Sequence, residues 1–419
     1  MIKKIKNIYK IFGPGILMAT AAIGGSHLVS STQAGALFGW SLAIFILLIN
    51  FFKYPFFLAN VQYTMATKKS LIEGYASLGN SWLWLFTILA VIAAVVNTAA
   101  VSMFAASLLG YFIPIKLTIN ILSFIIIFAC LLILIAGKYN LLNNVSKIIM
   151  ITLSIATVVA VVMAVTKDVN SALADDFISP SAWTIASLGF IVILTGWMPA
   201  PIEISSIGSI WLKNQIKQTN INAKNALLDF NVGFIVTAIL ALFFLALGAL
   251  VLHGSAYEFK DGIAFSHQLV TMYSTVIGDW SRLLIAFIAF ACMFGTSITV
   301  IDGYGRAVAE AFSLIRKNRS ASNRSVAIWT IFISIIGFLI IIYFASSMRT
   351  MLDFAMILSF TTTPIFAFLN YKLVRSTKLP KELQNGMFLN ILSICGLIFL
   401  FGFLILFIIY RWFPFLIGL

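Results

Sequence analysis

Long runs of apolar residues, separated by short polar or charged stretches, make up most of this chain. A helix that crosses a membrane needs about 20 consecutive apolar residues, and the runs predict eleven such helices. We place them at residues 12–38, 41–65, 82–112, 117–137, 146–166, 182–210, 227–252, 283–306, 326–345, 351–371 and 387–411. No linker or low-complexity segment separates the runs. The pattern therefore predicts an all-α polytopic membrane protein with a single domain over residues 1–419.

Two of the eleven predicted helices contain residues that interrupt a helix. The first has Ile23-Gly24-Gly25-Ser26-His27 in its middle, and the sixth has Thr195-Gly196-Trp197-Met198-Pro199-Ala200-Pro201. Glycine makes a helix easy to unwind, and proline removes a backbone donor. Backbone groups freed inside a membrane must face protein or a water-filled cavity, where they can hold a solute. We expect the two interrupted helices to meet and form a solute site.

The two interrupted helices are five helices apart. This spacing is typical of inverted five-helix repeats, each of which opens with a discontinuous helix. We therefore predict a first repeat over residues 1–166, a second over 182–371, and one extra helix at 387–411.

Composition agrees with a membrane location and gives an orientation. The chain is 61% hydrophobic and 10% charged, with a mean hydropathy of +1.06, whereas soluble domains are roughly a quarter charged. The net charge of +14 comes from loops, since one alternate set carries 19 lysines and arginines and the other carries six. Loops rich in lysine and arginine lie on the cytoplasmic side of a membrane. We therefore predict a protein of the cell membrane with a cytoplasmic amino terminus and an extracellular carboxyl terminus. Topology accounts for the charge, so no nucleic-acid partner is expected.

Three stretches of the sequence are similar to one known family. Gly13-Pro14-Gly15 and Gln33-Ala34-Gly35-Ala36 flank the first break, Met198-Pro199 lies in the second, and the third stretch is Gly295-Thr296-Ser297-Ile298-Thr299, followed by Gly305 and Glu310. These motifs resemble the NRAMP family of divalent-metal transporters. The resemblance implies the LeuT-like fold, with two inverted repeats plus one helix. It also implies transport of a divalent transition metal, of the manganese or iron type, by alternating access, with proton coupling left open.

The sequence also departs from the metal site of that family. Where the family has an aspartate and an asparagine in the first break, this chain has Gly24 and His27; the methionine is kept as Met198, and the histidine after Met-Pro is Ala200. These differences are typical of a divergent bacterial branch. A dication buried without a carboxylate has a large free-energy cost of desolvation. Two alternatives therefore stay open: a carrier of a small organic solute on the same scaffold, and a transport-inactive sensor or scaffold.

Candidate substrate-binding residues are those at the two breaks. We list Gly24, Gly25, Ser26, His27, Thr195, Gly196, Trp197, Met198 and Glu203. Three of them offer metal ligands: the imidazole of His27 and the thioether of Met198 suit transition metals, and the carboxylate of Glu203 adds the missing charge. Besides the bilayer, the expected partners are a metal ion or small solute and protons, and no cofactor is expected.

Charged residues inside the predicted helices are candidates for gating or a proton path. Asp302, Arg306 and Glu310 follow one another at a spacing of four, which stacks them on one helix face; Asp229 and Lys53 are further intramembrane charges. The sequence contains neither a phosphate-binding glycine loop nor a nucleophile elbow. We therefore assign no catalytic residue and do not expect an enzyme.

Overall fold

Fifteen α-helices make up almost all of the part of the chain that the computed structural model describes, namely residues 13–136, 139–166, 177–218, 221–254, 260–318 and 320–413. In chain order they are α1 (Pro14–Ala22), α2 (Thr32–Phe38), α3 (Ala43–Thr67), α4 (Leu71–Leu78), α5 (Asn80–Gly110), α6 (Ile119–Ile135), α7 (Tyr139–Thr166), α8 (Leu188–Trp197), α9 (Ile204–Gln218), α10 (Ala223–Val251), α11 (Gly262–Ile277), α12 (Arg282–Ile315), α13 (Asn323–Tyr343), α14 (Met348–Ser376) and α15 (Met387–Trp412). The all-α prediction is confirmed.

Seven of these helices are long and apolar enough to cross a membrane: α3, α5, α10 and α12 to α15. Three shorter apolar segments, Ile119–Ile135, Ile151–Thr166 and Ile185–Trp197, coincide with further predicted spans. The apolar windows of α12 and α5 are 78% and 72% buried inside the protein, whereas those of α13 and α15 are 28% buried. Helices α5 and α12 therefore form the centre of the molecule, and α13 and α15 lie at its lipid-facing edge.

Both predicted interruptions are present. In the first, α1 ends at Ala22, the chain bends over 23–25, and a π-helical turn (Ser26–Ser31) leads into α2. In the second, α8 ends at Trp197, Met198 is extended, and α9 begins at Ile204. The bounds 1–166, 182–371 and 387–411 for the repeats and the extra helix stay a prediction.

Close backbone contacts hold the broken first span against α10. A Cβ atom added at Gly35 would lie 2.0 Å from the Leu245 carbonyl oxygen, and one added at Gly248 would lie 2.1 Å from the Thr32 carbonyl oxygen. These glycines let α2 and α10 approach more closely than any larger side chain allows, as small residues do in membrane helix packing. The first break is thereby fixed against the bundle.

Candidate substrate site between the two broken helices

A cavity of about 30 Å³ lies between the two breaks. The first break, the second break, α5 and α12 line it with Ala21, Ala22, Gly25, Ser26, Asn97, Val101, Trp197, Ala200, Pro201, Ile204, Thr296, Val300 and Tyr304. A water molecule needs about 10–15 Å³ measured in this way, so the cavity has room for about two. The structure therefore leaves little free volume between the two breaks.

The two breaks touch each other at this cavity. A Cβ atom added at Gly25 would lie 2.4 Å from a ring carbon of Trp197, so the glycine makes room for the indole. The Ser26 hydroxyl oxygen lies 3.4 Å from the Pro199 carbonyl oxygen across the gap. The predicted meeting of the two interrupted helices is confirmed.

The backbone carbonyls of the first break have partners within the protein. The Ser26 hydroxyl donates to the Ala22 carbonyl at 2.7 Å, and the Cys292 thiol donates to the Ile23 carbonyl at 3.1 Å. The Gly24 carbonyl accepts from the backbone N–H of Leu28 at 2.9 Å. Side chains and the next helical turn thus satisfy these carbonyls, so this break contributes little free backbone to a ligand.

A lysine side chain satisfies the carbonyls of the second break. The Lys53 ammonium, on α3, donates to the carbonyl oxygens of Thr195, Gly196 and Ala200 at 2.6, 3.3 and 3.4 Å. In a continuous helix the Thr195 carbonyl would accept from the N–H of residue 199, but Pro199 has none. Lys53 is fully buried and replaces the missing donors.

A chain of hydrogen bonds runs from the cavity wall to a buried carboxylate. The Trp197 indole N–H donates to Asn97 Oδ1 at 3.1 Å, and Asn97 Nδ2 donates to the Tyr304 hydroxyl at 2.9 Å. That hydroxyl donates to Glu203 Oε1 at 3.0 Å. Glu203 is 2% exposed, and its Oε2 has no hydrogen-bond partner among the described residues. The carboxylate is therefore connected to the cavity through Tyr304.

Tyr304 is not among the site residues predicted from the sequence. Its position at the cavity follows from helical spacing. Residues four apart share one helix face, and Thr296, Val300 and Tyr304 of α12 all line the cavity. The periodicity was visible in the sequence, but many faces of this helix are buried. Only the packing shows which face meets the breaks.

The three predicted metal ligands do not come together. His27 Nε2 donates to the Thr237 carbonyl at 2.9 Å, and Nδ1 shares a hydrogen bond of 2.7 Å with the Ser26 hydroxyl. Met198 packs in an apolar cluster with residues such as Phe38. Neither residue, nor Glu203, is among those that line the cavity. Within the described ranges, no three His, Cys, Asp or Glu side chains are placed to hold a metal.

Of the nine predicted substrate-binding residues, Gly25, Ser26 and Trp197 line the cavity. The carbonyl oxygens of Thr195 and Gly196 accept hydrogen bonds from Lys53. A Cβ atom added at Gly24 would lie 3.2 Å from the side chain of Thr296. The roles of all nine in binding stay predictions.

Asp302, Arg306 and Glu310, the three charged residues spaced by four on α12, contact different partners. Arg306 Nε contacts Asp302 Oδ2 at 2.8 Å, as the spacing of four indicates. Glu310 instead contacts Lys213 of α9 at 3.1 Å and accepts from the Ser70 hydroxyl at 3.1 Å. The gating or proton-path role of Asp302, Arg306 and Glu310 stays a prediction.

Asp229 lies at the other end of the broken first span. Its Oδ2 accepts from the backbone N–H of Gly15, in the first turn of α1, at 2.7 Å. A carboxylate at this position is stabilised by the positive end of the helix. Asp229 therefore attaches the first half of the broken span to α10.

Lys213, Glu73 and Glu310 form an ion cluster that joins α4, α9 and α12. Lys213 Nζ lies 2.6 Å from Glu73 Oε2 and 3.1 Å from Glu310 Oε1. Burial lowers the pKa of Lys213, but the charges of Glu310 and Glu73 outweigh burial and hold that pKa above its ordinary value. The cluster fixes the carboxyl-terminal half of α9, the helix with which the chain continues after the second break.

Replacing Lys213 with methionine should destabilise the protein, because two partly buried carboxylates then face each other without a cation. Since the three side chains keep some contact with solvent, we expect a loss of about 1–2 kcal/mol, measured as a lower melting temperature. Lys217→Met, one turn further on α9 and exposed, is the control. Equal melting temperatures for the two variants would contradict this role.

Comparison with known proteins identifies the family. A family model described as natural resistance-associated macrophage protein-like (Nramp) matches residues 15–410. The chain belongs to this family. It is also 48% identical over 404 residues to an uncharacterized protein of Pasteurella multocida, covering 96% of this chain and 92% of that one.

Solved structures show how this Nramp chain is folded. A variant of the Eremococcus coleocola manganese transporter matches with a TM-score of 0.75 at 14% identity, over 96% of this chain and 87% of that one. MhsT in complex with L-phenylalanine matches with a TM-score of 0.66 at 12% identity, over 93% and 98% of the two chains. The predicted LeuT-like fold is confirmed. Family and neighbours are transporters, in agreement with the prediction that the chain is not an enzyme.

Proposed function

We propose that this Nramp-family protein carries a divalent transition-metal cation, of the manganese or iron type, across the cell membrane by alternating access. The observation that carries the proposal is the cavity between two interrupted helices, with polar groups in its largely apolar wall, in a chain of this family. The manganese transporter of Eremococcus coleocola shares the fold. Interrupted helices that meet in mid-membrane are where transporters of this type bind their solutes.

The cavity offers oxygen ligands, and one carboxylate lies directly behind it. Ser26, Asn97, Thr296 and Tyr304 provide neutral polar groups at the wall, and Glu203 accepts the Tyr304 hydroxyl. A dication needs negative charge to offset its desolvation. The proposal therefore assigns charge compensation to Glu203, while His27 and Met198 enter it as ligands predicted from the sequence.

Uptake into proteoliposomes made with the full chain tests the proposal. We expect saturable manganese uptake that iron(II) inhibits and magnesium or calcium does not. Tyr304→Phe should reduce uptake about tenfold or more, because a hydrogen bond to a charged group contributes about 1.5–3 kcal/mol. Tyr343→Phe, at a side chain that is 84% exposed, is the matched control.

Two outcomes of the same assay would contradict metal transport. Protein that takes up no metal but is stabilised against heat by a small organic compound would be a carrier of that solute. Protein that responds to neither would be a sensor or scaffold.

Proton coupling and orientation complete the proposal. We propose that metal uptake carries protons, with His27 and Glu203 as the titrating groups, and that no resident cofactor takes part. A pH dye inside the same liposomes should report acidification, and its absence would exclude coupling. From the loop charges we propose that the amino terminus lies in the cytoplasm and the carboxyl terminus outside. A membrane-impermeant thiol reagent added outside the cell should then label a cysteine placed after Leu419. If the reagent does not label this cysteine, the carboxyl terminus lies inside and the proposed orientation is wrong.

A further inference from the structure

Three backbone carbonyl oxygens converge at the end of α8. Those of Thr195, Gly196 and Ala200 all lie within 3.4 Å of a single point, which the Lys53 nitrogen occupies. A helix leaves its last four carbonyls without partners, and Pro199 and Pro201 cannot supply donors from the chain beyond. The sequence of the break therefore produces a cluster of free acceptors at this point.

The surroundings of this point suit a single positive charge. Lys53 is fully buried, and no carboxylate of the described residues lies within ion-pair distance of it. Its stabilisation comes from the carbonyl dipoles and from the negative end of α8. Glu203 interacts with it electrostatically from a greater distance. Neutral carbonyl oxygens are the groups with which proteins bind monovalent cations in place of water.

We propose that the carbonyl oxygens of Thr195, Gly196 and Ala200 form a monovalent-cation site, which the chain fills with its own Lys53 ammonium. The protein therefore needs neither sodium nor potassium at this site. Without the lysine side chain, the same oxygens bind a small monovalent cation such as ammonium, sodium or potassium.

This site lies next to the substrate cavity: Ala200 belongs to both, and Thr195 and Gly196 are also among the substrate-binding residues predicted from the sequence. Ala200 is among the residues that line the cavity, while Lys53, Thr195 and Gly196 are not. The Lys53 ammonium fixes the second break through the carbonyls of Thr195, Gly196 and Ala200, and Trp197, Ala200 and Pro201 of the same break line the cavity.

Heat stability of the full chain in lipid nanodiscs tests the proposal. Lys53→Ala should melt several degrees below the wild type when N-methylglucamine is the only cation. Ammonium, sodium or potassium chloride should restore its melting temperature with a saturable dependence on concentration. The wild type should melt at the same temperature in all these salts.

Lys53→Met is the matched control, because its unbranched side chain fills the space without charge and should leave no response to small cations. Three results would overturn the proposal. They are a saturable stabilisation of the wild type by sodium or potassium, a Lys53→Ala protein that ignores every small cation, and a Lys53→Ala protein that folds in none of these salts. The readout involves no divalent metal, so failure of metal transport leaves it unaffected.

Discussion

Replacing Gly196 with alanine is expected to destabilise the protein by about 3 kcal/mol or more, or to prevent its accumulation. The added Cβ would lie 2.0 Å from the Met356 carbonyl oxygen and 2.8 Å from the carbon of the same carbonyl. Both atoms belong to the backbone of α14, so no side-chain rotation relieves the overlap. The measurement is the yield and melting temperature of the purified variant.

The same helix provides a control of opposite expected sign. A Cβ added at Gly189 of α8 would have no atom within 4 Å. Alanine is favoured over glycine inside a helix by about 0.8–1.0 kcal/mol, so Gly189→Ala should raise the melting temperature slightly. Equal melting temperatures for the Gly196 and Gly189 variants would show that α8 and α14 do not pack this closely.

The helices and their two interruptions were predictable because lipid offers the backbone no hydrogen-bond partners. A span must satisfy its own hydrogen bonds, so apolar runs predict helices, and Gly24-Gly25 and Pro199-x-Pro201 predict the places where they stop. What satisfies the freed groups depends on contacts between distant parts of the chain. Lys53 and Thr195 are 142 residues apart, and nothing near either residue indicates the other.

The site residues were harder to predict, for a different physical reason. His27 lies in a π-helical turn, which has a longer repeat than the α-helix. The α-helical spacing therefore gives the wrong direction for side chains in this turn. In the structure the His27 imidazole contacts the Thr237 carbonyl of α10, although its sequence position corresponds to a metal ligand of the family.

The second break pairs each charge with the helix end of opposite sign. Lys53 lies at the carboxyl end of α8, where the helix dipole is negative. Glu203 immediately precedes α9, at its positive end. The two residues also interact with each other electrostatically. The break is therefore neutral overall and stabilised as a unit.

Removing both members of this unit should destabilise the protein by less than the two single losses added together. Glu203→Gln leaves the Lys53 ammonium buried without its compensating charge, and we expect a loss on the order of 3 kcal/mol. Combining it with Lys53→Met removes both charges, and the double variant should be more stable than the sum of the two single losses predicts.

The double-mutant cycle measures this difference directly, from the unfolding free energies or melting temperatures of the four proteins. Independent sites add to within about 0.3–0.5 kcal/mol, so a coupling beyond that range would support the pair. Glu382→Gln, at an exposed carboxylate, serves in a second cycle with Lys53→Met and should give additive losses. If the Glu203 cycle is equally additive, each charge is stabilised by its own helix end alone, and the break does not act as a neutral unit.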